Sequence, residues 1–153
     1  MKIREIIKED DDNLKGRFYS ALKGNQPVIL AYGEGSGRNL DIHGQPVSLE
    51  EWHKVMSFAL SDTGKQYNDF HATRVYREFK DLLYALSIGE DEVKFIPGRE
   101  GSVVLYIQGP EEYLKELADE IDHTKEEFRV DEIHFYPEGR KGVSGPALRL
   151  WWD

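Results

Sequence analysis

A single α+β domain, in which a mostly antiparallel sheet of four or five strands is covered on one face by helices, is the fold this sequence predicts. Three observations predict it. Residues 93–152 read as strand, turn, strand, helix, strand, loop, strand, a C-terminal β-β-α-β-β unit. Residues 72–86 carry apolar side chains at helical spacing, from Ala72 through Val75, Tyr76, Phe79, Leu82 and Leu83 to Leu86. Finally, 39% of the 153 residues are hydrophobic, including 3 Trp, 8 Tyr and 7 Phe, which is enough for one packed core and argues against disorder.

The elements follow in order. Ile3, Ile6 and Ile7 share a helical face before the acidic run Glu9-Asp10-Asp11-Asp12, so residues 1–12 read as an amphipathic helix and an acidic break ahead of a domain at 13–153. Asn13 is a good N-cap for a short helix carrying Leu14, Phe18 and Leu22 and ending at Gly24. Val28-Ile29-Leu30-Ala31-Tyr32 reads as a buried strand, begun by Pro27 and stopped by Gly33-Glu34-Gly35-Ser36-Gly37. A loop or weak strand pair is expected around His43-Gly44. Ser48 and Glu51 form a capping-box pattern that opens a helix over 49–61, with Leu49, Trp52, Met56 and Ala59 on one face. Asn68 or Asp69 is positioned to cap the next helix, over 70–87.

Val93–Ile96 and Ser102–Gln108 then flank Pro97-Gly98-Arg99-Glu100-Gly101, which reads as a hairpin connection. Pro110 with Glu111 and Glu112 starts a helix over 110–121, whose apolar face is Tyr113, Leu114, Leu117, Ala118 and Ile121. Strands over Val130–Tyr136 and Pro146–Trp152 close the domain. Alternation puts Val103, Leu105, Ile107, Ile133, Phe135, Leu148, Leu150 and Trp152 under the helices. The opposite face then shows Tyr106, Glu132, His134, Tyr136, Arg149 and Trp151, a polar and aromatic mixture that is either the wet side of the sheet or a site.

Charge and composition exclude several function classes. The absence of cysteine removes disulfides, thiolate metal ligands and thiol nucleophiles. A net charge of −9 repels phosphate backbones and anionic lipid, so nucleic-acid and membrane partners are disfavoured. The Arg140-Lys141 pair is too small to form a groove. No stretch approaches the roughly 20 apolar residues that cross a bilayer, and the first residues lack the apolar run of a secretory signal. A cytoplasmic location is the expectation.

Candidate chemistry is sparse. The glycine-rich 33–38 stretch lacks the Lys-Ser/Thr pair and the following helix of a phosphate loop, and it places Glu34 where phosphate would sit. No Gly-x-Ser-x-Gly elbow supports serine catalysis. His71-Ala72-Thr73 matches the local pattern of the two-histidine phosphoesterases, but a second His-x-Thr/Ser motif is missing and residue 71 opens a helix rather than a strand. Carboxylates stand two residues before histidine in Asp41-His43, Asp69-His71 and Glu132-His134; on a strand that spacing puts both groups on one face, as acid/base work requires. Glu132 and His134, joined by Asp41 and His43, are therefore the candidate catalytic residues. No complete metal-ligand set is present, so neither a metal nor a cofactor is expected. Trp151, Tyr136, Tyr106 and Arg149 are the candidate partner-binding residues, since Trp, Tyr and Arg dominate interface energetics.

The triplet Ile7-Lys8-Glu9, ending a short basic amphipathic helix and followed by Asp10, resembles the capsid-targeting leaders of internal proteins of T-even-type bacteriophages. In that family a phage protease cuts after the glutamate once the protein is packaged. The resemblance covers residues 1–9, and it implies a phage-encoded protein found in host cytoplasm or capsid interior. Asp10 departs from the small residue usual after the cut.

Two function classes follow. The first is a soluble, acidic interaction or accessory protein without catalytic activity, with a protein partner or a second copy of itself. The alternative is a small metal-dependent or acid/base hydrolase using Glu132 and His134 with the 33–43 loop. Convergence of Asp41, His43, Glu132 and His134 in one pocket discriminates between them.

Overall fold

The computed structural model describes residues 22–33, 41–61 and 70–153. The leader, the acidic run, most of the helix expected over 13–24 and the glycine-rich 34–40 segment lie outside those residues. The fold is α+β. Its elements are α1 (Gln26–Gly33), β1 (Asp41–His43), α2 (Leu49–Ser61), α3 (Ala72–Ala85), β2 (Lys94–Glu100), β3 (Ser102–Gln108), α4 (Glu111–His123), α5 (Lys125–Phe128), β4 (Glu132–Tyr136), β5 (Gly139–Arg140), β6 (Val143–Ser144) and β7 (Ala147–Trp152). The main sheet has the order β1-β2-β3-β7-β4, with every neighbouring pair antiparallel. No helix among the described residues is long and apolar enough to cross a membrane.

The Val28–Tyr32 run forms a helix, not the expected strand. Val28, Ile29, Ala31 and Tyr32 are all buried, so the segment shows no amphipathic period, and a short wholly apolar run cannot be told apart from a strand by pattern. Pro27 is tolerated because it sits in the first turn, where a missing N–H costs nothing. The Asn25 carbonyl accepts from the N–H groups of Val28 and Ile29, which makes Asn25 the cap position. Its buried side chain turns instead to Gln45, accepting from the Gln45 N–H at 2.6 Å and donating to the Gln45 carbonyl at 3.3 Å. Gly44 must be glycine there, because a Cβ would lie 1.7 Å from Asn25 Oδ1. Substituting Asn25→Ala removes both bonds and is expected to cost about 1–3 kcal/mol, read as a lowered urea midpoint with an unchanged slope.

The capping box forms as expected: the Ser48 N–H donates to Glu51 Oε1 at 3.0 Å, and the Glu51 N–H donates to Ser48 Oγ at 3.2 Å. For α3, by contrast, the cap position is His71, without a side-chain cap bond; Asn68 and Asp69 lie outside the described residues. The core lies between these helices and one sheet face. Trp52, Met56, Val75, Phe79, Leu83, Leu114, Leu117 and Ile121 meet Val103, Leu105, Ile107, Leu148, Leu150 and Trp152. Edge-to-face contacts of Phe79 with Phe95 and Phe128, and of Phe70 with Trp152, knit its aromatic part.

The expected Pro97–Gly101 loop is a correction that matters for the site. Strand β2 continues through Pro97 to Glu100, and Gly101 alone, at φ 69°, makes the turn between Glu100 and its partner Ser102. Pro97 fits because its absent N–H would point toward residues 44–46. There the neighbouring chain leaves the ladder and offers Pro97 only the Gly44 N–H, which bonds its carbonyl at 2.8 Å. Gly98 is needed for close approach: a Cβ would stand 2.8 Å from the Ile42 carbonyl oxygen.

The sheet face away from the helices is not simply wet. The β5–β6 hairpin folds over it, and Val143 joins Ile96, Val104, Tyr106 and Ala147 in a second apolar cluster. Gln108 Nε2 ties the hairpin down by donating to the Ser144 carbonyl at 2.6 Å. Tyr106 is therefore fully buried, and the Arg149 side chain is only 11% exposed. Of the four candidate partner-binding residues, Tyr106 is closed off, while Trp151, Tyr136 and Arg149 remain partly exposed.

Candidate functional site

Extending β2 to Glu100 brings a carboxylate onto the sheet face that the hairpin partly covers. Antiparallel pairing sets Asp41 opposite Glu100, and Tyr106 opposite Arg149, so all four share that face. The Tyr106 hydroxyl donates to Glu100 Oε1 at 2.8 Å. Arg149 Nε donates to both carboxylate oxygens at 3.3 and 3.4 Å. Arg140, from the hairpin, contributes Nη1 at 3.4 Å and lays its guanidinium over the Tyr136 ring. Trp151 Nε1 donates to the Glu100 backbone carbonyl at 2.9 Å, which fixes the orientation of the indole. His43 Nε2 stands 3.6 Å from Glu100 Oε1, a separation longer than a hydrogen bond, and its ring meets the Tyr106 ring edge-on at 5.0 Å.

The electrostatics follow from these neighbours. Burial by itself would raise the Glu100 pKa. His43, the Tyr106 hydroxyl, Arg149 and Arg140 outweigh it and pull the carboxyl from 4.5 down to about 2. Tyr106 moves the other way: burial and its bond to the Glu100 carboxylate both push its phenol above the ordinary value. At neutral pH the pair is a carboxylate and a phenol, each satisfied by the other.

Beside this cluster lies a pocket of about 390 Å³, lined by Asp41, His43, Glu100, Arg140, Lys141 and Gly142. Gly142, at φ 86°, lets the hairpin turn rest on the imidazole; a Cβ there would lie 3.0 Å from His43 Nδ1. His43 Nε2 is buried without a hydrogen-bond partner. On the helix side, the Tyr32 hydroxyl donates to the Gly98 carbonyl at 2.5 Å, which anchors α1 to the strand carrying Glu100.

The four candidate catalytic residues divide into two pairs. Asp41 and His43 stand on β1, and Glu132 and His134 on β4, at opposite edges of the sheet. Four strand spacings of about 4.8 Å put the pairs roughly 19 Å apart. On β4, His134 Nε2 is 3.1 Å from Glu132 Oε1, and both side chains are about half exposed. Arg149 links the two ends, since its Nη1 lies 3.7 Å from Glu132 Oε1 while its Nε holds Glu100. Among the described residues no three His, Asp or Glu side chains are grouped as metal ligands would be.

Sequence reasoning missed Glu100, Arg140 and Lys141 as site residues. Glu100 falls in a stretch whose proline and glycines read as a turn, and Arg140-Lys141 gains meaning only when the hairpin is folded over the sheet. A single glycine after an uninterrupted polar-capped run, Arg99-Glu100-Gly101-Ser102, was the available signal for a tight turn.

Comparison with known proteins finds no matching family model, no matching curated protein and no matching solved structure.

Proposed function

We propose that this chain is a non-catalytic accessory protein that acts by binding, with the Asp41–His43–Arg140–Lys141 pocket as its recognition site. The observation that carries this reading is the state of Glu100. General acid–base work calls for a group that titrates near the working pH and has a free lone pair or proton. Glu100 is held near 2 by donors that already occupy both its oxygens, and Tyr106 is held as a phenol. Both behave as framework, while the groups with remaining hydrogen-bonding capacity line the pocket. A volume of about 390 Å³ falls within the range of small-ligand sites. Trp151 and Tyr136, partly exposed on the same face, offer a protein partner aromatic contact area. The leader resemblance of residues 1–9 fits the same class, a phage accessory protein.

The second reading, a small hydrolase, has one observation in its favour, the 3.1 Å contact of Glu132 with His134. Assays with chromogenic esters, phosphoesters and glycosides separate the two. The expected result is no turnover above buffer. Turnover that disappears in His134→Ala or His43→Ala, with the fold retained by circular dichroism, establishes the hydrolase instead.

A further inference from the structure

We infer that the pocket takes a small zwitterion of the free amino acid class, its carboxylate held by Arg140 and Lys141 and its ammonium by Asp41. The inference rests on the reading that the site binds rather than turns over its ligand, and it names that ligand's chemistry.

The argument starts from which charges are already engaged. Glu100 accepts from Tyr106, Arg149 and Arg140, and its side chain is only 8% exposed, so it is not available to a ligand. Arg140 uses Nη1 for Glu100 and the Tyr136 hydroxyl, at 3.4 and 3.5 Å. A guanidinium carries five N–H donors in a fixed fork, so several of Arg140's remain for an oxyanion. Lys141 and Asp41 are exposed, and neither has an ion-pair partner among the described residues. The pocket therefore presents two cations and one carboxylate that are open to a ligand, and a buried imidazole nitrogen, His43 Nε2, that lacks a hydrogen bond.

A simple anion would meet Asp41 as a repulsive neighbour, and the chain's net charge of −9 would oppose its approach. A simple cation would meet Arg140 and Lys141. A molecule with both charges and no net charge pairs with Arg140, Lys141 and Asp41 together, and the overall field does not oppose it. The pocket, about 390 Å³ and partly open to solvent, has room for an amino acid with its side chain but not for a folded partner.

The test is a titration of the full chain, followed by backbone amide NMR, with free leucine and free glutamine as probes, each beside its N-acetyl and its C-amide form. The expected result is saturable shifts at Gly142 and His43 with a Kd of about 1 mM or tighter for a free amino acid, and at least about tenfold weaker binding of both capped forms. Asp41→Asn should weaken the free form but leave the N-acetyl form unchanged. Lys141→Gln should weaken the free form but leave the C-amide unchanged. Both substitutions are of exposed side chains, so the fold survives them. Absence of saturable shifts with either free amino acid overturns the inference, as does equal affinity for free and capped forms or indifference to both substitutions. Consumption of a probe during the titration would instead overturn the binding reading itself, which keeps the two failures apart.

Discussion

Removal of residues 148–153 is expected to unfold the chain. Strand β7 lies between β3 and β4, and among the described residues it is the ladder partner of β4. Leu148, Leu150 and Trp152 are 0%, 0% and 1% exposed, and Trp152 Nε1 also donates to the Phe128 carbonyl at 2.8 Å. Burial of a large apolar side chain contributes about 1.5–3 kcal/mol, so the three together approach the roughly 5–15 kcal/mol that holds a whole domain folded. The deletion also takes away Arg149, and with it a bifurcated hydrogen bond from Nε to the Glu100 carboxylate. Circular dichroism should show no cooperative melt. A near-wild-type transition would mean that β7 is not a core strand.

Glu100→Gln is expected to destabilise the fold by about 3 kcal/mol at pH 7, because the carboxyl titrates at about 2 when folded against 4.5 when exposed. The sign is set by the depressed folded value. The contribution is complete above the unfolded pKa and is lost as pH falls through 4.5 toward about 2. Wild type should therefore lose stability steeply over that window, with more than half of the contribution gone by about pH 3. The glutamine variant should lack this component. Urea midpoints of the two proteins should be well separated at neutral pH and converge in acid. A constant gap across that range would show that Glu100 acts through shape and not through charge.

The helices were legible because their information is local. The Ala72–Leu86 stripe repeats at the helical period over many residues, and the Ser48/Glu51 box marks a start with two reciprocal bonds. The Trp151/Trp152 pair was legible for the same kind of reason, since adjacent strand residues must face opposite ways. Trp152 entered the core, and Trp151 faces the Glu100 side. Where the pattern misled, a short segment lacked a period. Val28–Tyr32 is apolar at all five positions, four of them buried, and so short an unbroken apolar run carries no strand-or-helix signal. Pro97 and Gly98 carry turn chemistry in almost any sequence; here a missing donor and a missing Cβ are what the inside of β2 requires.

Periodicity along the chain is thus sufficient for the α+β class, the strand faces and the apolar partners of the core, since each depends on residues a few positions apart. It places Glu132 and His134 on a strand and leaves Asp41 and His43 in a loop or weak strand pair, and it is silent about which strands stand side by side. Strand order put the two pairs on opposite edges, and the folded-over hairpin brought Arg140 and Lys141 to Glu100, 40 residues from Arg140 in sequence. Those contacts are non-local, and what stabilises them is the burial of Val143 and Tyr106 between hairpin and sheet. Charge in the site is set by that enclosure: the same carboxylate in water would titrate near its ordinary value, and it reaches about 2 only where tertiary packing presses Tyr106, Arg149, Arg140 and the His43 ring around it.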